Sequence, residues 1–306
     1  MAIVLALGSA LIYGVSDFVG GLLSRRTQVW SVAFVAQVSS AACTLLVALV
    51  VGGRPTMADA SWGAVAGVGT AVGSAFLYRG LASGRMTVVA PLSAVGSALL
   101  PVAVGVVSGE RPAAFTWLGV VCAFPAIWLV SRSSEIEEDL AGGHTEPASN
   151  PGAHGDARVV VHESVWAKAR RTGVVDGLLA GLGFGTLFAG LGQVGGDAEL
   201  PALAVAQVVS LPAIVALATI LRAQWWPTDR EALRAVIVGP LGAAATGMFL
   251  FATQLGLLSV SAVLSSLYPA STVLLAAILL HERIHRGQAA GLALAAVAVS
   301  LVALDS

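Results

Sequence analysis

Three ionisable side chains stand where the surrounding residues are almost wholly apolar: Asp17, Arg79 and Asp176. A charge inside an apolar run long enough to cross a bilayer costs from about 2.5 kcal/mol upward, so it comes with a partner or a task. Asp17 lies about seven residues before the end of its run, roughly 10 Å below that surface at 1.5 Å per residue. The chemistry open to such a carboxylate is to take up and release a proton or to hold a cation. The plainer expectation is a carboxylate satisfied by a neighbour near the interface. Arg79, on the same side, can snorkel, neutralise Asp17 or hold an anionic group of a solute. Asp176 opens its run just after Arg170 and Arg171, where a helix N-terminus favours a carboxylate, and is expected to be structural. Gln37 and Gln207 are buried amides that either join helices by hydrogen bonds or bind a polar solute. Tyr13 and Tyr268 lie away from the ends of their runs, and such a tyrosine either offers its ring to an apolar or cationic ligand and its hydroxyl to polar groups or is ordinary core packing.

Other chemistries lack their residues. His144, His154 and His162 share a polar segment, but their spacing matches no metal-ligand pattern. No H-E-x-x-H, G-x-S-x-G or P-loop occurs. Gly190-Leu191-Gly192-Gln193-Val194-Gly195 fits G-x-G-x-x-G, yet it ends an apolar run and follows no strand, which excludes a dinucleotide fold. No cofactor, metal or catalytic residue is expected, and a lipid-modifying enzyme would need a better cluster than Asp17, Arg79 and Asp176. A net charge of −1 leaves no basic footprint for nucleic acid.

The elements that must position these residues are membrane-spanning helices. The chain is 57% hydrophobic and 11% charged, against roughly 45–50% and about 25% in soluble domains. A spanning helix needs about 20 mostly apolar residues. Ten stretches qualify, at about 3–23, 30–52, 62–83, 87–108, 114–131, 173–194, 201–221, 233–257, 260–280 and 287–304. They are continuously apolar, unlike the alternating strands of a barrel. No Lys or Arg precedes Arg25, so the first stretch reads as a spanning helix rather than a signal peptide. Trp30, Trp62, Trp225 and Trp226 fall at helix ends and are expected to be interfacial anchors. Residues 133–170 are polar and acidic, with Asn150-Pro151-Gly152, and read as a flexible linker. Odd-numbered loops carry nearly all the loop arginines, which puts them in the cytoplasm and both termini outside.

The chain also repeats itself. Val35-Ala36-Gln37-Val38 recurs as Val205-Ala206-Gln207-Val208, and Ser16-x-Phe18-x-Gly20 aligns with Thr186-x-Phe188-x-Gly190. Glu110-Arg111 aligns with Glu282-Arg283, and Gly119 with Gly291. Both Glu-Arg pairs sit at loop starts and are expected to cap helices or form ion pairs. Each unit holds five helices, so the second copy must enter the membrane inverted, the plan of many secondary transporters. The expected fold is therefore an all-α integral membrane protein of ten transmembrane helices. It comprises a first repeat (1–132), the linker (133–170) and a second repeat (171–306). The pairs Gly63/Gly67, Gly69/Gly73, Gly177/Gly181 and Gly181/Gly185 suit close helix packing and sliding.

Ser265-Ser266-Leu267-Tyr268-Pro269, His281-Glu282-Arg283, Gln288 and Gly291 in the second unit resemble the drug/metabolite transporter superfamily, with two EamA-like domains. The first unit keeps Pro91, Gly109-Glu110-Arg111 and Gly119 but has Gly96-Ser97 in place of the Tyr-Pro pair. The resemblance implies a ten-helix carrier with a central cavity between its halves. It also implies termini in the cytoplasm, opposite to the loop charges. The expected function is a secondary transporter in the inner or plasma membrane that exports metabolites, amino acids or amphipathic drugs, proton-coupled through Asp17. Its partners are a small-molecule substrate and membrane lipid, as a monomer or homodimer. The competing expectation is a non-transporting module, an assembly partner or sensor acting through residues 133–170.

Overall fold

The computed structural model describes residues 1–82, 86–132, 173–195, 198–279 and 286–304, and every regular element among them is helical. The first five helices are α1 (Ala2–Ser24), α2 (Val29–Val51), α3 (Met57–Ala82), α4 (Met86–Val107) and α5 (Ala114–Arg132). The second series begins with α6 (Val174–Leu191) and α7 (Glu199–Ile220). A helical turn at Arg230–Leu233 and a 3-10 turn at Arg234–Ile237 lead into α8 (Val238–Leu255). Then follow α9 (Leu258–Ser265), α10 (Tyr268–Leu279) and α11 (Arg286–Ala303).

Six of these segments are long and apolar enough to cross a membrane: α1, α2, α3, α6, α7 and Arg230–Leu255. Shorter apolar segments occupy Leu92–Val107, Ala114–Leu129 and Ala289–Leu301. Large apolar side chains such as Leu46, Leu49, Phe115, Leu118, Leu178 and Leu182 are exposed along the helices. Surface of that kind is stable against lipid and costly against water.

The ninth apolar stretch differs from expectation, because it is two helices, not one. Pro269 has no N–H to give the carbonyl of Ser265, so the helix stops at Ser265 and restarts at Tyr268. Trp30 is also not an interfacial anchor. It is 7% exposed, and its ring meets Phe76 edge-on at 6.5 Å. Trp62 and Trp226 do face outward.

Helix ends are held by side chains. Thr56 and Asp59 form a reciprocal capping box at the start of α3: the Asp59 carboxylate accepts from Thr56 N–H at 2.9 Å, and Thr56 Oγ1 accepts from Asp59 N–H at 3.2 Å. Glu110 reaches across to the second series and accepts from the N–H groups of Leu258 and Ser259, at 2.5 and 3.1 Å. It thereby caps α9. Glu282 and Arg283 lie outside the described residues. Asp229 accepts from Ala232 N–H at 2.7 Å and from the Thr27 hydroxyl at 2.5 Å, which ties the α1–α2 turn to the approach to α8. These two hydrogen bonds, the Thr27 one foremost, hold the Asp229 carboxyl below the usual carboxylate range.

The packing is reciprocal between the two series. α3 lies against α6 and α7; its counterpart α8 lies against α1 and α2. α4 packs on α6, as α9 and α10 pack on α1. α2 crosses α7, and α5 runs beside α11. Glycine makes the closest of these contacts possible. A Cβ on Gly183 of α6 would fall 2.3 Å from the Gly73 nitrogen of α3, and one on Gly181 would fall 2.9 Å from the Gly96 Cα of α4. Gly63 and Gly67 meet Ala202 and Ala206 of α7 in the same way. The small-residue spacings in the sequence thus mark the seams between the two series.

Candidate functional site

The reciprocal packing leaves a cavity between the two series, enclosing about 440 Å³ of empty space with its mouth included. α1 contributes Tyr13, Ser16 and Asp17. These stand at i, i+3 and i+4, one face of a helix. α3 adds Thr70, Ser74 and Tyr78 at successive four-residue steps, and α2 adds Gln37 and Ser40. Phe184 and Leu187 of α6, Gln207 of α7 and Thr246 of α8 complete the wall, with Gly239 and Gly242 thinning it on the α8 side.

Most of the polar lining is already spent. Thr70 and Ser74 return their hydroxyls to Ala66 and Thr70 carbonyls one turn back, at 2.9 and 2.8 Å. Ser16 Oγ donates to the Val238 carbonyl at 3.4 Å. Tyr13 and Thr246 share a hydrogen bond of 2.6 Å, while Thr246 also gives to Gly242. One exception is Asp17. It is 8% exposed and lines the cavity, and among the described residues no hydrogen bond or ion pair meets its carboxylate. Two of the three tyrosines of the chain, Tyr13 and Tyr78, line the same cavity.

Four of the seven candidates named from sequence, Asp17, Tyr13, Gln37 and Gln207, line this one cavity. Tyr268 stands beside it, its hydroxyl donating to Ser93 Oγ at 2.9 Å across to α4. Arg79 and Asp176 lie elsewhere. The expected pairing of Arg79 with Asp17 does not form. Instead Arg79 grips Asp176, with Nε donating to Oδ1 at 2.9 Å and a second nitrogen meeting the same oxygen, and its guanidinium lies 4.3 Å from the Phe76 ring centroid. The pair ties the end of α3 to the start of α6. The expected partners of Asp176, Arg170 and Arg171, lie outside the described residues, as do the linker histidines. The counterparts of this pair, Ala252 and Ala6, sit together in one apolar cluster.

Sequence reasoning missed Tyr78, Ser40, Ser16, Thr70, Ser74 and Thr246. A signal was present: polar residues recurring at three- and four-residue steps inside apolar helices share a face. It is weak residue by residue, because Ser and Thr satisfy themselves on their own helix backbone and are common in buried spans.

Comparison with known proteins bears on this arrangement. A family model described as the EamA-like transporter family matches residues 1–132 and again 171–304. A solved structure described as "Crystal structure of protein" is similar in fold, at a TM-score of 0.66 and 16% identity, over 99% of this chain and 96% of that one. No curated protein matches.

Proposed function

Since the chain belongs to the EamA-like transporter family, we propose that it is a proton-coupled secondary carrier that exports small organic solutes through the cavity, with Asp17 as the coupling group. The observation that carries this reading is a buried carboxylate that faces the cavity with no partner among the described residues. A carboxylate left so has two stable companions, a proton or a cation. Exchange between them is the elementary step of antiport: the solute's positive charge displaces the proton on one side, and the proton displaces the solute on the other. Among the described residues the cavity lining contains no Lys, Arg or His, which disfavours anions. The nearby tyrosine rings favour organic cations. Cationic amphipathic solutes therefore suit the site better than acidic metabolites.

The architecture that goes with this mechanism is ten crossings in two inverted repeats, residues 1–132 and 171–306, joined by a linker at 133–170. The reciprocal contacts support it, since each helix of the first series meets the partners that its counterpart meets in exchange. Rocking one repeat against the other opens the cavity to alternate faces. The inner or plasma membrane is the proposed location.

Flux in proteoliposomes under an imposed pH gradient tests the reading. The wild type is expected to move an organic cation against its gradient, and Asp17→Asn to lose gradient-driven flux while remaining monodisperse. Undiminished pH-driven flux in Asp17→Asn would remove Asp17 from the coupling step.

A further inference from the structure

The polar pairs that cross the cavity are repeat-matched, yet only one of them forms. Gln37 and Gln207 are counterparts, and so are Ser40 and Ser210, each pair separated by the same 170 positions. Gln37 Nε2 donates to Ser210 Oγ at 3.1 Å, and Ser210 Oγ donates on to the Gln207 carbonyl at 2.6 Å. The mirror bond, Gln207 to Ser40, is absent. Gln207 Oε1 and Ser40 Oγ are both buried without a hydrogen-bond partner. Each residue is 2% exposed, and both line the cavity that holds Asp17.

A buried acceptor left unsatisfied costs about 1–3 kcal/mol, and native interiors keep few of them. The lining hydroxyls of Tyr13, Ser16, Thr70, Ser74 and Thr246 are engaged. Beside the Asp17 carboxylate, one amide oxygen and one hydroxyl of the described lining are thus buried without a partner, on two helices from opposite series. A Gln oxygen only accepts; a Ser hydroxyl accepts and donates. Together they complement a ligand O–H or N–H. They carry no charge, so they complete the recognition of a solute whose charge is met elsewhere in the same cavity.

We propose that Gln207 and Ser40 form a neutral hydrogen-bonding subsite. It reads a hydroxyl or N–H group on a small organic cation anchored at Asp17, and selects such solutes over isosteres that lack the donor. The inference rests on the reading of Asp17 as the charge anchor and adds the second determinant of specificity. A site built to hydrogen-bond a donor rejects the analogue without it, because the protein group is then buried unpaired.

Equilibrium binding of two matched probes to the purified full-length chain tests this. Choline carries a hydroxyl; n-propyltrimethylammonium has the same head with the hydroxyl replaced by methyl. The wild type is expected to bind choline about tenfold or more tightly, the equivalent of roughly 1.4 kcal/mol for one satisfied hydrogen bond. Gln207→Leu is expected to bring the ratio near one by weakening choline alone, and Ser40→Ala to lower it in part. Asp17→Asn is expected to weaken both probes alike and keep the ratio. A wild-type ratio near one overturns the subsite and leaves the anchor standing. So does an equal loss of both probes in Gln207→Leu and Ser40→Ala, the result for atoms satisfied by a structural water. Binding of neither probe by folded wild type overturns the subsite and the anchor together.

Discussion

A charge buried between helices is judged by what it touches, and the three found in this sequence divide on that test. Arg79 and Asp176 satisfy each other, although Arg79 remains 36% exposed at its side chain against 11% for Asp176. Removing the arginine alone leaves a nearly buried carboxylate without its partner, whereas removing both charges does not. Arg79→Ala is therefore expected to lower stability by about 1–3 kcal/mol, toward the low end because water reaches the pair. Arg79→Ala/Asp176→Asn should recover a large part of that loss. Thermal denaturation of the four members of the cycle in detergent reads the coupling; strictly additive losses would show that the two do not act as a pair. Asp17 has no such partner among the described residues, and that difference in surroundings, invisible in a one-dimensional pattern, separates it from the strut that Arg79 and Asp176 form.

Between helices, the seams are set by glycine. The Cβ of Gly183→Ala would meet backbone, the nitrogen of Gly73 at 2.3 Å and the carbonyl of Gly69 at 2.7 Å. Backbone cannot swing aside as a side chain can. A loss of about 1–3 kcal/mol, or failure to assemble, is expected for Gly183→Ala. Gly195→Ala, where nothing among the described residues lies within 4 Å, should be neutral; equal midpoints of thermal inactivation would refute the packing argument. The clasp between Thr27 and Asp229 behaves differently. The Asp229 carboxyl is held low, so its contribution is complete above the unfolded carboxylate value and is lost as pH falls through the lower folded value. Amide exchange around residues 226–233 should quicken only in acid below the ordinary Asp range; exchange independent of pH there, after correction for the intrinsic rate, would count against the clasp. These helices were legible in advance because length and apolarity alone define a spanning segment. The glycine spacings foretold the seams for a similar reason, since close approach needs small residues at one-turn steps. The break at Ser266-Leu267 was not read, although Pro269 was in view, because spanning helices often carry proline unbroken when neighbours satisfy the freed carbonyl. The partner of Arg79 was not legible either. It lies 97 positions away, and only the packing of α3 on α6 brings it near.

Across the whole molecule, the two faces differ in charge. The turn at residues 25–28 and the approach to α8, joined through Thr27 and Asp229, together carry Arg25, Arg26, Arg222, Arg230 and Arg234. The opposite face, where Glu110 caps α9 and Gln254 bonds the Val194 carbonyl, carries Arg54 and Arg111. The arginine-rich face is expected in the cytoplasm, so a C-terminal tag should be reached by an impermeant reagent from outside intact cells. Protection of the tag until the membrane is opened would reverse the orientation. The reciprocity of the packing has a further consequence, for synthesis. α3 finds its glycine-lined partners in α6 and α7, which leave the ribosome only after about a hundred more residues have been made. Until then the nascent first half sits in lipid with its tightest seam unfilled and its buried carboxylate unenclosed. It is a half-built client for membrane chaperones and proteases, and the chain becomes a finished protein only when its second half arrives.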